Sequence, residues 1–120
     1  MALFPNPLLA FYNPIPATSP VNDTALILTV PPIMYEIAKC ESGLRQFDDD
    51  GKVLRGTINP KDVGIFQINE YWHLKSAQKQ GFDIYTTEGN IGFALALYEA
   101  QGTKPWNASS NCWRNTPPSG

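Results

Sequence analysis

Between Pro31 and Gly43 the apolar positions Ile33, Met34, Ile37 and Ala38 recur three and four residues apart, the period of one face of a helix. Pro31-Pro32 suits a helix start, because a proline in the first turn gives up no helical hydrogen bond. Gly43 suits the left-handed residue that closes one. The spacing therefore predicts a helix over 31–43. A second apolar face, Ile91, Leu95 and Tyr98, predicts a helix that runs to Gln101 and ends at Gly102, with Thr86 or Thr87 as its cap. Between these, residues 45–63 are polar and punctuated by Gly51, Gly56 and Pro60, which predicts a loop or small hairpin. GIFQIN (64–69) has strand-like apolar content but is too short for its period to decide. Residues 70–80 suit a short helix, and Trp106, Cys112 and Trp113 follow the last one.

The N-terminal quarter has a different pattern. Seven of the eleven prolines lie in the first 32 residues, and each ring removes a backbone donor and fixes φ. Residues 1–30 are therefore expected to form an extended Pro-rich arm or linker, with ALILTV (25–30) adding a short strand. The expected organisation is this arm, then one small, mainly helical α+β domain over 31–116 with a short β wing, then a flexible tail, 117–120. No internal repeat is visible.

Composition narrows the classes of function. At 120 residues the chain holds one domain at most, and 42% hydrophobic with 12% aromatic residues is enough for a small core. A formal charge of −2 gives no basic field, so neither nucleic acid nor an anionic membrane is an expected partner. No segment reaches the roughly 18 apolar residues that cross a bilayer, so no membrane span is expected. No Lys or Arg precedes Lys39, so a recognisable secretory signal is not expected either. The two cysteines, Cys40 and Cys112, are either a disulfide or a pair of buried thiols. A bond closing so long a loop would stabilise by roughly 4 kcal/mol and would place the protein outside a reducing cytoplasm. The sequons at Asn22 and Asn107 matter only in a eukaryotic secretory pathway and carry no argument.

Glu41 is the first residue with chemical promise. It lies four residues past Ile37 and seven past Met34, on the apolar face of its helix and at the C-terminal end. Apolar neighbours and the negative end of the helix dipole both disfavour a carboxylate and keep it protonated near neutral pH, as a general acid requires. Considered alone, a glutamate at a helix end is more often exposed or ion-paired. Asp62 stands directly before the apolar VGIFQIN. Two carboxylates across a cleft are the minimum for glycoside cleavage, one donating a proton and the other supporting positive charge on the sugar carbon. Asp48-Asp49-Asp50-Gly51 faintly suggests a calcium loop, but its twelfth position falls on Asn59, and a solvated turn is the better account. His73 is the sole histidine, with no cysteine cluster beside it and no nucleophile motif around a serine. It reads as structural or surface, and no metal and no cofactor are expected. Most aromatic residues belong to the expected core; Tyr71, Trp72 and Trp113 are candidates for a cleft wall.

These segments resemble known families. IAKCESG resembles the CESG segment of resuscitation-promoting factors and the ES motif of soluble lytic transglycosylases, whose glutamate is the catalytic acid. DVGIFQIN resembles the DYGIFQIN segment of c-type lysozymes and, more loosely, the GLMQI motif of transglycosylases. ALALYEAQGTKPWNASSNCW resembles the closing helix, the glycine–tryptophan turn and the final cysteine of resuscitation-promoting factors. The three blocks follow the order of the lysozyme-like superfamily and cover residues 31–113.

The resemblance implies a lysozyme-like domain with Glu41 as general acid and Asp62 in the position of the second carboxylate of c-type lysozymes. It implies that Gln67 and Asn69 line a saccharide cleft, Asn69 contacting an N-acetyl sugar. Ser42 matches the serine that follows the glutamate of transglycosylases. Tyr98 falls near the tyrosine that hydrogen-bonds the acid there, although Glu99 replaces the asparagine that usually follows it. Trp106 would pack beside the cleft and help to desolvate Glu41, and Cys40 and Cys112 match the disulfide of resuscitation-promoting factors. The expected partner is a peptidoglycan glycan strand, cut by a monomeric, secreted or cell-envelope enzyme at the β-1,4 bond from N-acetylmuramic acid to N-acetylglucosamine. Transglycosylases generally lack the second carboxylate, and more residues separate Glu41 from Asp62 than separate the pair in c-type lysozymes. Hydrolysis and 1,6-anhydro formation thus both remain open. A non-catalytic glycan-binding member of the same fold is the alternative from another class.

Overall fold

The computed structural model describes residues 23–114. The extended form expected for residues 1–22 and the flexible tail 117–120 lie outside the described residues. Helix α1, Asp23–Ile27, replaces the strand expected at ALILTV. Ile27 and Val30 are buried while Leu28 is 67% exposed, so the burial period is three, which one helical turn satisfies and a strand does not. The N–H groups of Thr29 and Val30 close that turn on the carbonyls of Leu26 and Ile27. The packed body therefore begins before Pro31, with α1 set against the long helix α4, Thr87–Gln101.

Helix α2 runs Pro32–Ser42. Met34, Ile37 and Ala38 have no exposed surface, which makes them the floor of the core. Gly43, at φ 66°, and Leu44, at φ 67°, both turn left-handed. Their N–H groups close on the carbonyls of Lys39 and Ala38, ending the helix just past Glu41 and Ser42.

The polar stretch after α2 forms a small β wing. Isolated bridges pair Phe47 with Val53 and Arg55 with Val63. Strands β1, Asp62–Val63, and β2, Ile68–Asn69, are antiparallel, with Asp62 opposite Asn69. GIFQ between them is a tight turn, and its Ile65 and Phe66 are fully buried. Two buried amides satisfy the turn's backbone: Ile65 N–H donates to Gln46 Oε1 at 2.8 Å and Phe66 N–H to Asn90 Oδ1 at 2.9 Å. Asn90 Nδ2 in turn donates to the carbonyls of Val63 and Ile84. Gly64 has no alternative here: its φ is 78°, and a Cβ would stand 2.3 Å from Asn90 Nδ2.

Helix α3, Glu70–Lys79, starts directly from β2, with the Asn69 side chain accepting the Trp72 N–H as its cap. Thr86 caps α4 in the same way, through Gly89 N–H. A 3-10 turn, Lys104–Ser109, and the short α5, Ser110–Trp113, then pack back onto α2. Cys40 and Cys112 are disulfide-bonded across this contact, with Cα atoms 6.0 Å apart. The fold is thus mainly helical with a two-stranded wing. No helix among the described residues is long and apolar enough to cross a membrane.

Candidate active site

Glu41 sits in the last turn of α2, between the disulfide-bonded Cys40 and Ser42. Desolvation by burial pushes its pKa above the ordinary glutamate value of 4.5. The Ser109 hydroxyl, which donates to Glu41 Oε2, opposes that rise, and the negative charge of Asp62 adds to it. Asp62 stands on β1, half-buried, and its Oδ1 accepts from Asn69 Nδ2 at 2.9 Å. The register of the hairpin produces this bond, since Asp62 and Asn69 are direct cross-strand partners.

Two cavities meet at the carboxylates. The larger, about 520 Å³, is bounded by the wing loop 54–59 and by Arg45 and Ser109. The smaller, about 130 Å³, is walled by Trp106, His73 and Leu97. Glu41, Asp62, Gln67 and Ala108 line both, so the pair of acids stands at the waist of a groove with space on either side. Gln67 has a left-handed backbone, φ 50°, where its N–H closes the GIFQ turn on the Gly64 carbonyl at 3.0 Å.

The other expected site residues divide. Trp106 is 3% exposed, lines the smaller cavity and donates from Nε1 to the Phe66 carbonyl at 3.0 Å, locking the closing turn onto the GIFQ turn. Asn69 lines the same cavity, with its side-chain carbonyl capping α3 and one N–H on Asp62. Ser42 borders the larger cavity, but its hydroxyl is engaged by backbone: the Ile65 carbonyl at 2.7 Å, the Ala38 carbonyl and the Arg45 N–H. It fastens the end of α2 to the GIFQ turn. Tyr98 lines neither cavity, and the hydroxyl that reaches Glu41 comes from Ser109 instead, because the disulfide brings α5 and the 3-10 turn over the end of α2. Trp113, a candidate cleft residue by sequence, is 4% exposed and belongs to the core. Tyr71 and Trp72 stand out from the first turn of α3, 68% and 74% exposed, in edge contact with each other and outside both cavities.

Several contributors carry little or no signal in the sequence. Ser109 has one, its place three residues before Cys112. His73 walls the smaller cavity against Phe93, and burial lowers its pKa. Arg55 donates to Glu70 Oε2 at 2.8 Å and to the Pro60 carbonyl, while Tyr85 OH donates to Glu70 Oε1 at 2.6 Å. This clamp ties the wing loop to α3, and the Arg55 bond, with the Tyr85 bond behind it, holds Glu70 below the usual carboxylate range. Among the described residues no group of three His, Cys, Asp or Glu is placed to hold a metal ion. A hollow of about 400 Å³ beside Leu74 and Phe82 has neither acid in its lining. Comparison with known proteins finds no family model that matches the chain, and no similar curated protein or solved structure at a significant level.

Proposed function

We propose that the protein is a lysozyme-like, peptidoglycan-cleaving glycosidase with Glu41 as its general acid. The observation that carries this reading is the placement of Glu41 and Asp62 at the junction of two cavities. A polymer cut in its middle needs room on both sides of the scissile bond, and the acid must stand at that bond. The raised pKa of Glu41 keeps the carboxyl protonated to higher pH than an exposed glutamate. Asp62 faces the same two cavities from β1, and Asn69 Nδ2 fixes its Oδ1. Lysozyme is the precedent for such a pair, and the division of roles between Glu41 and Asp62 is taken over from it.

In the reaction, Glu41 gives its proton to the glycosidic oxygen as the C–O bond breaks. Positive charge develops on the sugar carbon and is met by Asp62 or by the substrate's own acetamido group. Water then yields a reducing end, or the C6 hydroxyl closes a 1,6-anhydro ring. The Cys40–Cys112 bond fits work outside a reducing cytoplasm, where this substrate lies. The test is Glu41→Gln, which keeps the shape of the side chain and its bond from Ser109. Clearing of a peptidoglycan suspension should fall by about 10²–10⁴-fold, the usual worth of a positioned acid, while chitooligosaccharide binding persists. Equal clearing by the variant would remove Glu41 from the mechanism; binding without clearing by either protein would favour a glycan-binding module.

A further inference from the structure

Glu41 Oε2 is taken up by Ser109, whose Oγ has two other polar neighbours: the Trp106 carbonyl at 3.1 Å and Trp113 Nε1 at 3.1 Å. An indole N–H only donates, so it fills one lone pair of the hydroxyl and leaves the single hydroxyl proton to be shared between two acceptors. With Glu41 ionised, the hydroxyl donates its hydrogen bond to the carboxylate. With Glu41 protonated on Oε1, Oε2 is still an acceptor and the hydroxyl stays on it, with the Trp106 carbonyl as the more distant second acceptor. Trp113 is buried, and its Nε1 also reaches the Trp106 carbonyl at 3.3 Å, so the frame around the hydroxyl is rigid.

We propose that Ser109 is a positioning residue for Glu41, its hydroxyl holding Oε2 in both protonation states so that the transferable proton is presented from Oε1 to the groove. Oε1 has no hydrogen-bond partner among the described residues, and Glu41 borders both cavities. As the proton leaves Oε1 for the glycosidic oxygen, the electrons of the breaking C–O bond pass to that oxygen and Glu41 becomes a carboxylate. Ser109 is already aligned to donate to it, with no partner to recruit. Covalent connectivity keeps the two together. Glu41 follows Cys40, Ser109 precedes Cys112 by three residues, and the disulfide joins the cysteines. The other charged or titratable groups facing Glu41 are Asp62 from β1, Arg45 and Arg55 across the larger cavity, and His73 from α3 across the smaller.

This inference rests on the glycosidase reading for its purpose but not for its geometry, and the experiment separates the two. Glu41 is titrated by NMR of its 13C-labelled side-chain carboxyl in the wild type and in Ser109→Ala, Ser109→Thr and Ser109→Val. Threonine and valine have nearly the same shape and differ in the hydroxyl, so their comparison stands even where the alanine variant folds poorly. The expected result is an upward shift of the Glu41 midpoint in Ala and Val, with Thr near the wild type, because the lost donor favoured the carboxylate. In parallel, kcat on peptidoglycan should fall about tenfold in Ala and Val with KM within about twofold, and recover in Thr. Midpoints unchanged by loss of the hydroxyl, or a loss confined to KM, would overturn the proposal. Should the wild type cleave no glycan, the glycosidase reading fails on that result, while the NMR midpoints still decide whether Ser109 holds Glu41.

Discussion

At the level of single residues, the opposition between burial and charge at Glu41 has a consequence for stability. A carboxyl whose pKa rises on folding binds its proton more tightly in the folded state. Its stabilising contribution is complete below the ordinary value of 4.5 and is lost as pH rises through the higher, folded value. Glu41→Gln, which cannot ionise, escapes that loss. The variant should therefore melt at a higher temperature than the wild type at neutral pH, and the gap should close as the pH is lowered below 4.5. Differential scanning calorimetry across that range checks the sign; a variant that melts lower at neutral pH would mean that the charged carboxylate is well solvated.

At the level of elements, the GIFQ turn is fastened to the loop after α2 and to α4 by polar side chains that no periodicity reveals. Gln46 and Asn90 are fully buried, and between them they satisfy the N–H groups of Ile65 and Phe66 and the carbonyls of Val63 and Ile84. Asn90→Ala removes the partner of Phe66 N–H and both carbonyl bonds made by its Nδ2, leaving buried groups unpaired. It should destabilise by about 3 kcal/mol or more, read from urea unfolding, since each orphaned group costs about 1–3 kcal/mol. A loss under about 1 kcal/mol would show that water replaces the amide at small cost. Helix α2 and the position of Glu41 are legible in the sequence because spacing, a proline start and a glycine stop all agree on one element. Gln46 and Asn90 are not, because a polar residue among other polar residues carries no sign of burial. The apolar-rich ALILTV fits either period, and only the core into which Ile27 and Val30 pack selects the helix.

At the scale of the whole molecule, one covalent bond ties the acid-bearing helix to the last. The disulfide spans 72 residues, and the chain-entropy argument gives it about 4 kcal/mol of stability. Reduction should lower the urea midpoint accordingly and should also weaken activity under conditions where the chain is still folded, because α5 and the 3-10 turn carry Ser109 and Trp106 to the site. Equal activity in the reduced, folded protein would show that packing alone holds them. The same bond explains why Ser109 is hard to find in the sequence: it stands 68 residues from Glu41, and only closure of the chain makes them neighbours. Glu41 and Asp62 are visible there because each sits beside a local apolar pattern.

The central claim, a glycan strand cut by Glu41, is tested most directly by digesting purified peptidoglycan with the wild type and with Glu41→Gln and weighing the released muropeptides by mass spectrometry. Release should depend on Glu41. Anhydro-muropeptides would leave Asp62 a supporting role, and reducing-end products, heavier by one water of about 18 Da, would make it the catalytic partner. Absence of Glu41-dependent release from several wall types would show that Glu41 is not the acid of a peptidoglycan glycosidase.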